Sequence, residues 1–233
     1  RKKHSGVHQT GQAERRGIMI KWSFSGLKQY GNCPRQFNEV KNLKNYEVKV
    51  SQQMQYGTDV HKALEDYARD GTELPKFYQK FKPLIDALLE IPGERYLEYK
   101  MALSADKLAC EFDSPDYWVR GIVDFMVIDE DTAYIVDYKT GSNKYPDTKQ
   151  LKLMALMTFA HFKDVQRVHA GLLFVAYNSF IKEEYTRGQP LWGAFEPELK
   201  RLEHSVQTNW WPVNPTPLCG WCPVTACEFH KER

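Results

Sequence analysis

Alternation of apolar and polar positions is clearest over residues 118–139, WVRGIVDFMVIDEDTAYIVDYK. It predicts a strand over 118–128, an acidic turn at 129–131 and a second strand over 133–139. In the first strand the period of two puts Val119, Gly121, Val123, Phe125 and Val127 on one face. Arg120, Ile122, Asp124, Met126 and Ile128 fall on the other. In the second strand Asp137 and Lys139 share a side. Asp124 sits on an otherwise apolar face. Two carboxylates and a lysine among core positions are costly unless something compensates them, and a divalent cation would do so.

The pattern elsewhere predicts mostly helices before this pair and an alternation of elements after it. Ser23 or Ser25 caps a helix running to about Val40, with Pro34 inside it as a point of splitting or kinking. A polar loop over 41–50 leads to a helix over 51–69, with Met54, Val60, Leu64 and Tyr67 inward and a stop at Asp70-Gly71. A third helix covers 77–89 and is closed by Pro92-Gly93. The strand at 95–103 carries Glu98 and Lys100 on one face and Leu97, Tyr99, Met101 and Leu103 on the other. A largely apolar helix follows at 148–162, then a central strand at 168–177 and a last helix at 198–210. This order predicts an α/β fold, a mixed central sheet flanked by helices.

Composition adds limits. The chain has 233 residues, 42% hydrophobic and 27% charged, which suits one sizeable core. A net charge of +2 excludes little. Residues 1–18 are nearly free of hydrophobic residues and read as a disordered segment or a vector remnant. Six Lys or Arg lie between Arg1 and Lys21, a weak sign of a nucleic-acid partner. Residues 19–233 read as a single domain, with 211–233 as a cysteine-rich, metal-binding tail. No apolar run approaches the roughly 20 residues that span a bilayer. With no secretory pattern either, the expectation is an intracellular protein of a bacterium or phage-infected cell.

Taken in order, SFSGLKQYGNCPRQF, GTDVHKALE, the Glu98 strand, GIVDF, DYKTG, QLKLMA and the cysteine tail resemble the PD-(D/E)XK nucleases. The resemblance is to their RecB-like branch, which includes Cas4 and AddB nucleases and phage exonucleases. It implies that His61, Asp124 and Asp137, with the Tyr138 carbonyl, bind Mg²⁺ or Mn²⁺. It implies that Lys139 orients or helps deprotonate the attacking water. Glu98 matches the family's glutamate on the preceding strand. Glu65, one turn after His61, is placed to orient that histidine or the metal's waters. Gln150 opens the family's QxxxY motif and is expected to help position DNA. Met154 stands where the tyrosine is expected. Arg35, Gln36, Arg120 and Lys144 are candidate contacts near the site, and Trp22, Tyr30, Trp118 and Tyr145 are candidate stacking rings.

Cys219, Cys222 and Cys227 place three thiols in nine residues, and Cys33 supplies a fourth from the other end of the chain. In the resembled nucleases this split set holds a [4Fe–4S] cluster that ties the tail to the N-terminal helix. The tail spacing here is one residue shorter than usual. The alternative is a structural Zn²⁺, with His230 as a further ligand. Cys110 is left over as an ordinary cysteine.

The function so implied is a metal-dependent DNA exonuclease in replication, recombination or repair. It would act on single-stranded DNA or DNA with a free end, leave a 5′-phosphate and a 3′-hydroxyl, and is expected to be phage-encoded. The alternatives are a Cas4-like accessory nuclease working with protein partners, a non-catalytic DNA-binding module, and a sequence-specific endonuclease.

Overall fold

The computed structural model describes residues 20–231. The segment expected to be disordered, 1–18, lies outside the described residues.

Ser23 caps the first helix, α1 (Phe24–Asn32), accepting from the Gly26 amide at 3.2 Å. The helix stops at Cys33, whose extended backbone is the conformation favoured before a proline. Pro34 then opens the short α2 (Pro34–Phe37), which passes into a π-helical turn at Asn38–Asn42. The single helix expected here is therefore split at Cys33. Ser51 caps α3 (Gln52–Asp70), which ends on Gly71 with a left-handed φ of 77°. The helix expected over 77–89 is shorter: a 3₁₀ turn at Gln79–Phe81 precedes α4 (Lys82–Leu89), with Pro83 in its first turn and Phe77 exposed.

Among the described residues six strands form one sheet in the order β2-β1-β3-β4-β5-β6. They are β1 (Glu94–Ser104), β2 (Ala109–Cys110), β3 (Tyr117–Asp129), β4 (Thr132–Lys139), β5 (Arg167–Phe174) and β6 (Ser179–Thr186). Helix α5 (Lys149–His161) crosses from β4 to its parallel neighbour β5, and the other neighbouring strands are antiparallel. The sheet is thus mixed and flanked by helices, as the pattern predicts. Strand β6 was not expected. Its sequence SFIKEEYT is charged and half solvated, as edge strands often are, and its hydropathy resembles a loop. The last helix, α6, spans Glu196–Thr208.

Two cores lie on the two faces of the sheet. One gathers α1 and α5 residues with Leu202 of α6, and the other gathers α3 and α4. The predicted alternation fails at one row. Leu97, Phe125 and Val127 join the α3 core, while Tyr99, Met101, Leu103, Val119 and Val123 join the α5 core. Leu97 therefore does not share a face with Tyr99, nor Phe125 and Val127 with Val123. The pairs Leu97–Phe125 and Tyr99–Val123 bracket Glu98 and Asp124, so both strands change face at the same point. Glu98 has a φ of 48°, a left-handed backbone inside a strand. That kink explains the reversal in β1.

Candidate active site

The row where the faces reverse carries the acidic groups. Glu98 on β1 stands opposite Asp124 on β3. The β3–β4 ladder ends at Phe125–Val136, one step before Asp124 would meet Asp137. Three carboxylates therefore line up across three adjacent strands, at the place where β4 separates from β3.

Helix α3 brings His61 to this row from one face. Val60 and Leu64 anchor the helix in the core. One turn before His61, a Cβ on Gly57 would lie 3.3 Å from Thr140 Oγ1, so the start of α3 lies close to the residue after Lys139. The His61 Nδ1 lies 3.4 Å from Asp124 Oδ1, and the other Asp124 oxygen accepts from the Tyr138 amide at 2.7 Å. His61, Glu98 and Asp124 each offer a ligand atom, all within 4.8 Å of one another. Asp137, expected as a ligand with His61 and Asp124, lies outside this tight group, and Glu98 lies within it.

Asp137 is occupied from the α5 side. Lys139 Nζ lies 2.6 Å from its Oδ2, and Gln150 Nε2 donates to its Oδ1 at 2.6 Å. Gln150 Oε1 accepts from Lys139 Nζ at 2.7 Å. One glutamine amide thus fixes both members of the Asp-x-Lys pair. Met154, at the tyrosine position of the motif, is buried in the core.

The titration of these groups reflects crowded negative charge. Burial and then the Asp124 charge push Asp137 above the ordinary carboxylate range, against the pull of Lys139 and His61. Burial, then Asp124 and Glu65, raise Glu98 to about 7. For His61 burial is the largest influence and works downward. The hydrogen bond and charge of Asp124, helped by Asp137 and Glu98, outweigh it and leave the imidazole more basic than usual. Glu65 pairs with Arg69 and lies 4.0 Å from Lys62, and it reaches the site through its charge on Glu98.

A second constellation lies at the far end of α1. Cys33, Cys219, Cys222 and Cys227 line one cavity of about 840 Å³, together with Arg35, Gln36 and His230. The Thr216 amide donates to Cys219 Sγ at 3.3 Å. Burial raises the Cys222 thiol, and Cys33, Cys227 and Cys219 add to this. Arg35 Nη1 donates to Glu228 at 2.9 Å, and Asn214 Nδ2 donates to the Asn32 carbonyl at 2.8 Å, so the tail is tied to α1 and α2. The His230 Nδ1 is buried without a hydrogen-bond partner among the described residues. Cys110 lies apart on β2, opposite Ala102.

The aromatic candidates divide. Trp22 and Tyr30 are core residues and Trp118 packs against that core, so none is free to stack on a base. Tyr145 is 83% exposed beside Lys144. Arg120 packs over Phe112 and Tyr117 and lies 3.5 Å from Asp113.

The family model of the PD-(D/E)XK nuclease superfamily matches residues 21–227, and the chain belongs to that superfamily of metal-dependent nucleases, which act on DNA. Among solved structures, the chain is similar to the crystal structure of SSO0001, at 11% identity and a TM-score of 0.46, over 91% of this chain and 87% of that one. It is also similar to a protein of Eubacterium rectale described as a candidate exonuclease, at 11% identity and a TM-score of 0.42, over 88% and 85% of the two chains. No curated protein matches. Among the described residues no helix is long and apolar enough to cross a membrane.

Proposed function

We propose that this nuclease is a Mg²⁺- or Mn²⁺-dependent DNA exonuclease of the RecB-like branch, hydrolysing phosphodiester bonds from free or single-stranded ends. The observation that carries the reading is the His61–Glu98–Asp124 trio beside the Asp137–Lys139–Gln150 group. Three carboxylates left partly uncompensated next to one imidazole fit a hard divalent ion, and the imidazole favours Mn²⁺. His61, Glu98, Asp124, Asp137 and the Tyr138 carbonyl are the groups that would hold it. When bound, the ion makes a coordinated water more acidic and offsets charge on the phosphate. Lys139, held on Asp137 Oδ2 and Gln150 Oε1, is the group that would orient the attacking water and steady the extra negative charge of the transition state. Gln150 keeps Lys139 in that position.

The four thiols are assigned to a [4Fe–4S] cluster. All four line one cavity of about 840 Å³ at the junction of the tail with α1, which supports their binding one common group. The alternative occupant is a structural Zn²⁺, with His230 in the same cavity as a further ligand.

The test is digestion of end-labelled single- and double-stranded DNA, linear and circular, with Mg²⁺ or Mn²⁺. Linear single strands are expected to be degraded and closed circles spared. Asp137→Ala and Lys139→Ala should each abolish cleavage with an unchanged circular-dichroism spectrum. Full activity in thorough chelator, or equal cutting of closed circles, overturns the reading.

A further inference from the structure

A recess of about 320 Å³ opens beside Lys139 and Gln150, between the start of α1, the β3 segment 120–122 and α5. It exists because β3 and β4 separate. Their ladder ends at Phe125–Val136, and Trp22 bridges β3 at Val119. Between these points, among the described residues, no strand pairs with this edge of β3. Gly121 and Ile122, paired with β1 on the other side, line the recess there.

The side chains add two further properties. Phe24, Ile122 and Met154 make apolar walls, and Ile122 is 39% exposed. Lys28 and Arg120 stand at the rim, Lys28 at 3.1 Å from Asp147 and Arg120 at 3.5 Å from Asp113. Both are exposed pairs of little net strength, which a phosphate can replace. Apolar walls and two cations paired with half-exposed or exposed carboxylates, beside Lys139 and Gln150, match a nucleoside attached to phosphates. The volume lies at the small end of ligand pockets, about 300–1,000 Å³. It has room for one base and its sugar.

We propose that the recess holds one unpaired nucleotide beside the scissile phosphate. The base lies against Phe24, Ile122 and Met154, and Lys28 and Arg120 hold the flanking phosphates. This rests on the nuclease reading and narrows its substrate to a strand whose base next to the cut is out of pairing.

The experiment is a scan with abasic positions combined with a variant that fills the recess. Ser25 is an exposed residue lining it, so Ser25→Trp fills the space without disturbing a core. In the wild type, an abasic position at one nucleotide beside the cut is expected to lower kcat/KM on single strands about tenfold, the scale of one lost base contact. Ser25→Trp should cost about the same on intact DNA, and the abasic position should then cost nothing more. Lys28→Ala should weaken binding equally for intact and abasic strands. The same cycle is read as Kd by fluorescence anisotropy in Ca²⁺, so it is decided even without turnover. Failure of the nuclease reading shows as no cleavage of any strand by the wild type. A flat abasic scan, or losses that multiply when the two changes are combined, overturns the recess.

Discussion

Glu98 has a backbone conformation that costs a non-glycine residue about 1–3 kcal/mol. Its carboxylate also faces Asp124 and feels the Glu65 charge. Glu98→Gly relieves both, at a cost of about 0.5–1 kcal/mol for glycine's freedom in the unfolded chain. In chelator the variant is expected to melt above the wild type, while isothermal titration shows Mn²⁺ binding weakened or lost. The sign with pH follows from linkage. The folded Glu98 value, raised from 4.5 to about 7, exceeds the unfolded one, so the folded state holds this proton more tightly and loses that stability as pH rises between the two. The melting advantage of Glu98→Gly in chelator should therefore grow from pH 4.5 to about 7 and level off above. A constant advantage would show that backbone strain alone separates the two proteins. Gln150 gives a second prediction at this scale. Removing its amide in Gln150→Ala leaves Lys139 and Asp137 held by their ion pair with each other. Single-turnover cleavage is expected to fall about 10- to 100-fold, the scale of a misplaced catalytic group, with little change in melting. Unchanged cleavage would mean that Lys139 finds its position unaided.

Elements decide what these residues can reach. Helix α1 begins at the recess and ends at the cysteine cavity, and it is pinned to α6 by a buried hydrogen bond of 2.8 Å between the Tyr30 hydroxyl and Ser205. Tyr30→Phe leaves the Ser205 hydroxyl unpaired in the core and is expected to cost about 1–3 kcal/mol in urea unfolding. A neutral result would mean that a water replaces the lost hydroxyl. The same elements show what a linear pattern can reveal. A serine cap before α1, met by Ser23, the stop at Asp70-Gly71 and the side shared by Asp137 and Lys139 are local signals, and each is found in the fold. The tight trio is different. Pairing Glu98 with Asp124 depends on the register of two strands and on a left-handed residue that glutamate seldom adopts. A rule of strict alternation cannot anticipate it, so it placed Leu97, Phe125 and Val127 on the wrong faces. Strand β6 was missed because its pairing to β5 supplies what its polar sequence does not. The recess was likewise illegible, because it arises where two strands fail to pair.

At the scale of the whole molecule, the last segment has little of its own to hold it. Residues 211–231 contain a 3₁₀ turn at Pro217–Trp221 and no longer helix or strand. Most of its side chains are partly or fully exposed, and Val224 is its one buried hydrophobic residue. Its contacts with the start of the chain include the Asn214 and Arg35 side-chain bonds, the Arg35 amide on the Pro212 carbonyl and Trp211 packed on Tyr30 and Phe37. Cross-linking two points separated by roughly 190 residues removes about 5 kcal/mol of chain entropy from the unfolded state. A metal group on these thiols, as proposed, would thus be the strongest available clamp between the two ends of the fold. On that proposal the wild type is expected to purify brown and with iron, and Cys222→Ser to lose both and melt well below it. Limited proteolysis should cut its tail first. The His61–Glu98–Asp124 trio lies on α3, β1 and β3, away from the tail, so Mn²⁺ titration should still show binding in the variant at low temperature. A colourless wild type containing one zinc would replace the cluster by a smaller clamp. A variant as stable and protease-resistant as the wild type would show that the protein contacts alone hold the ends together.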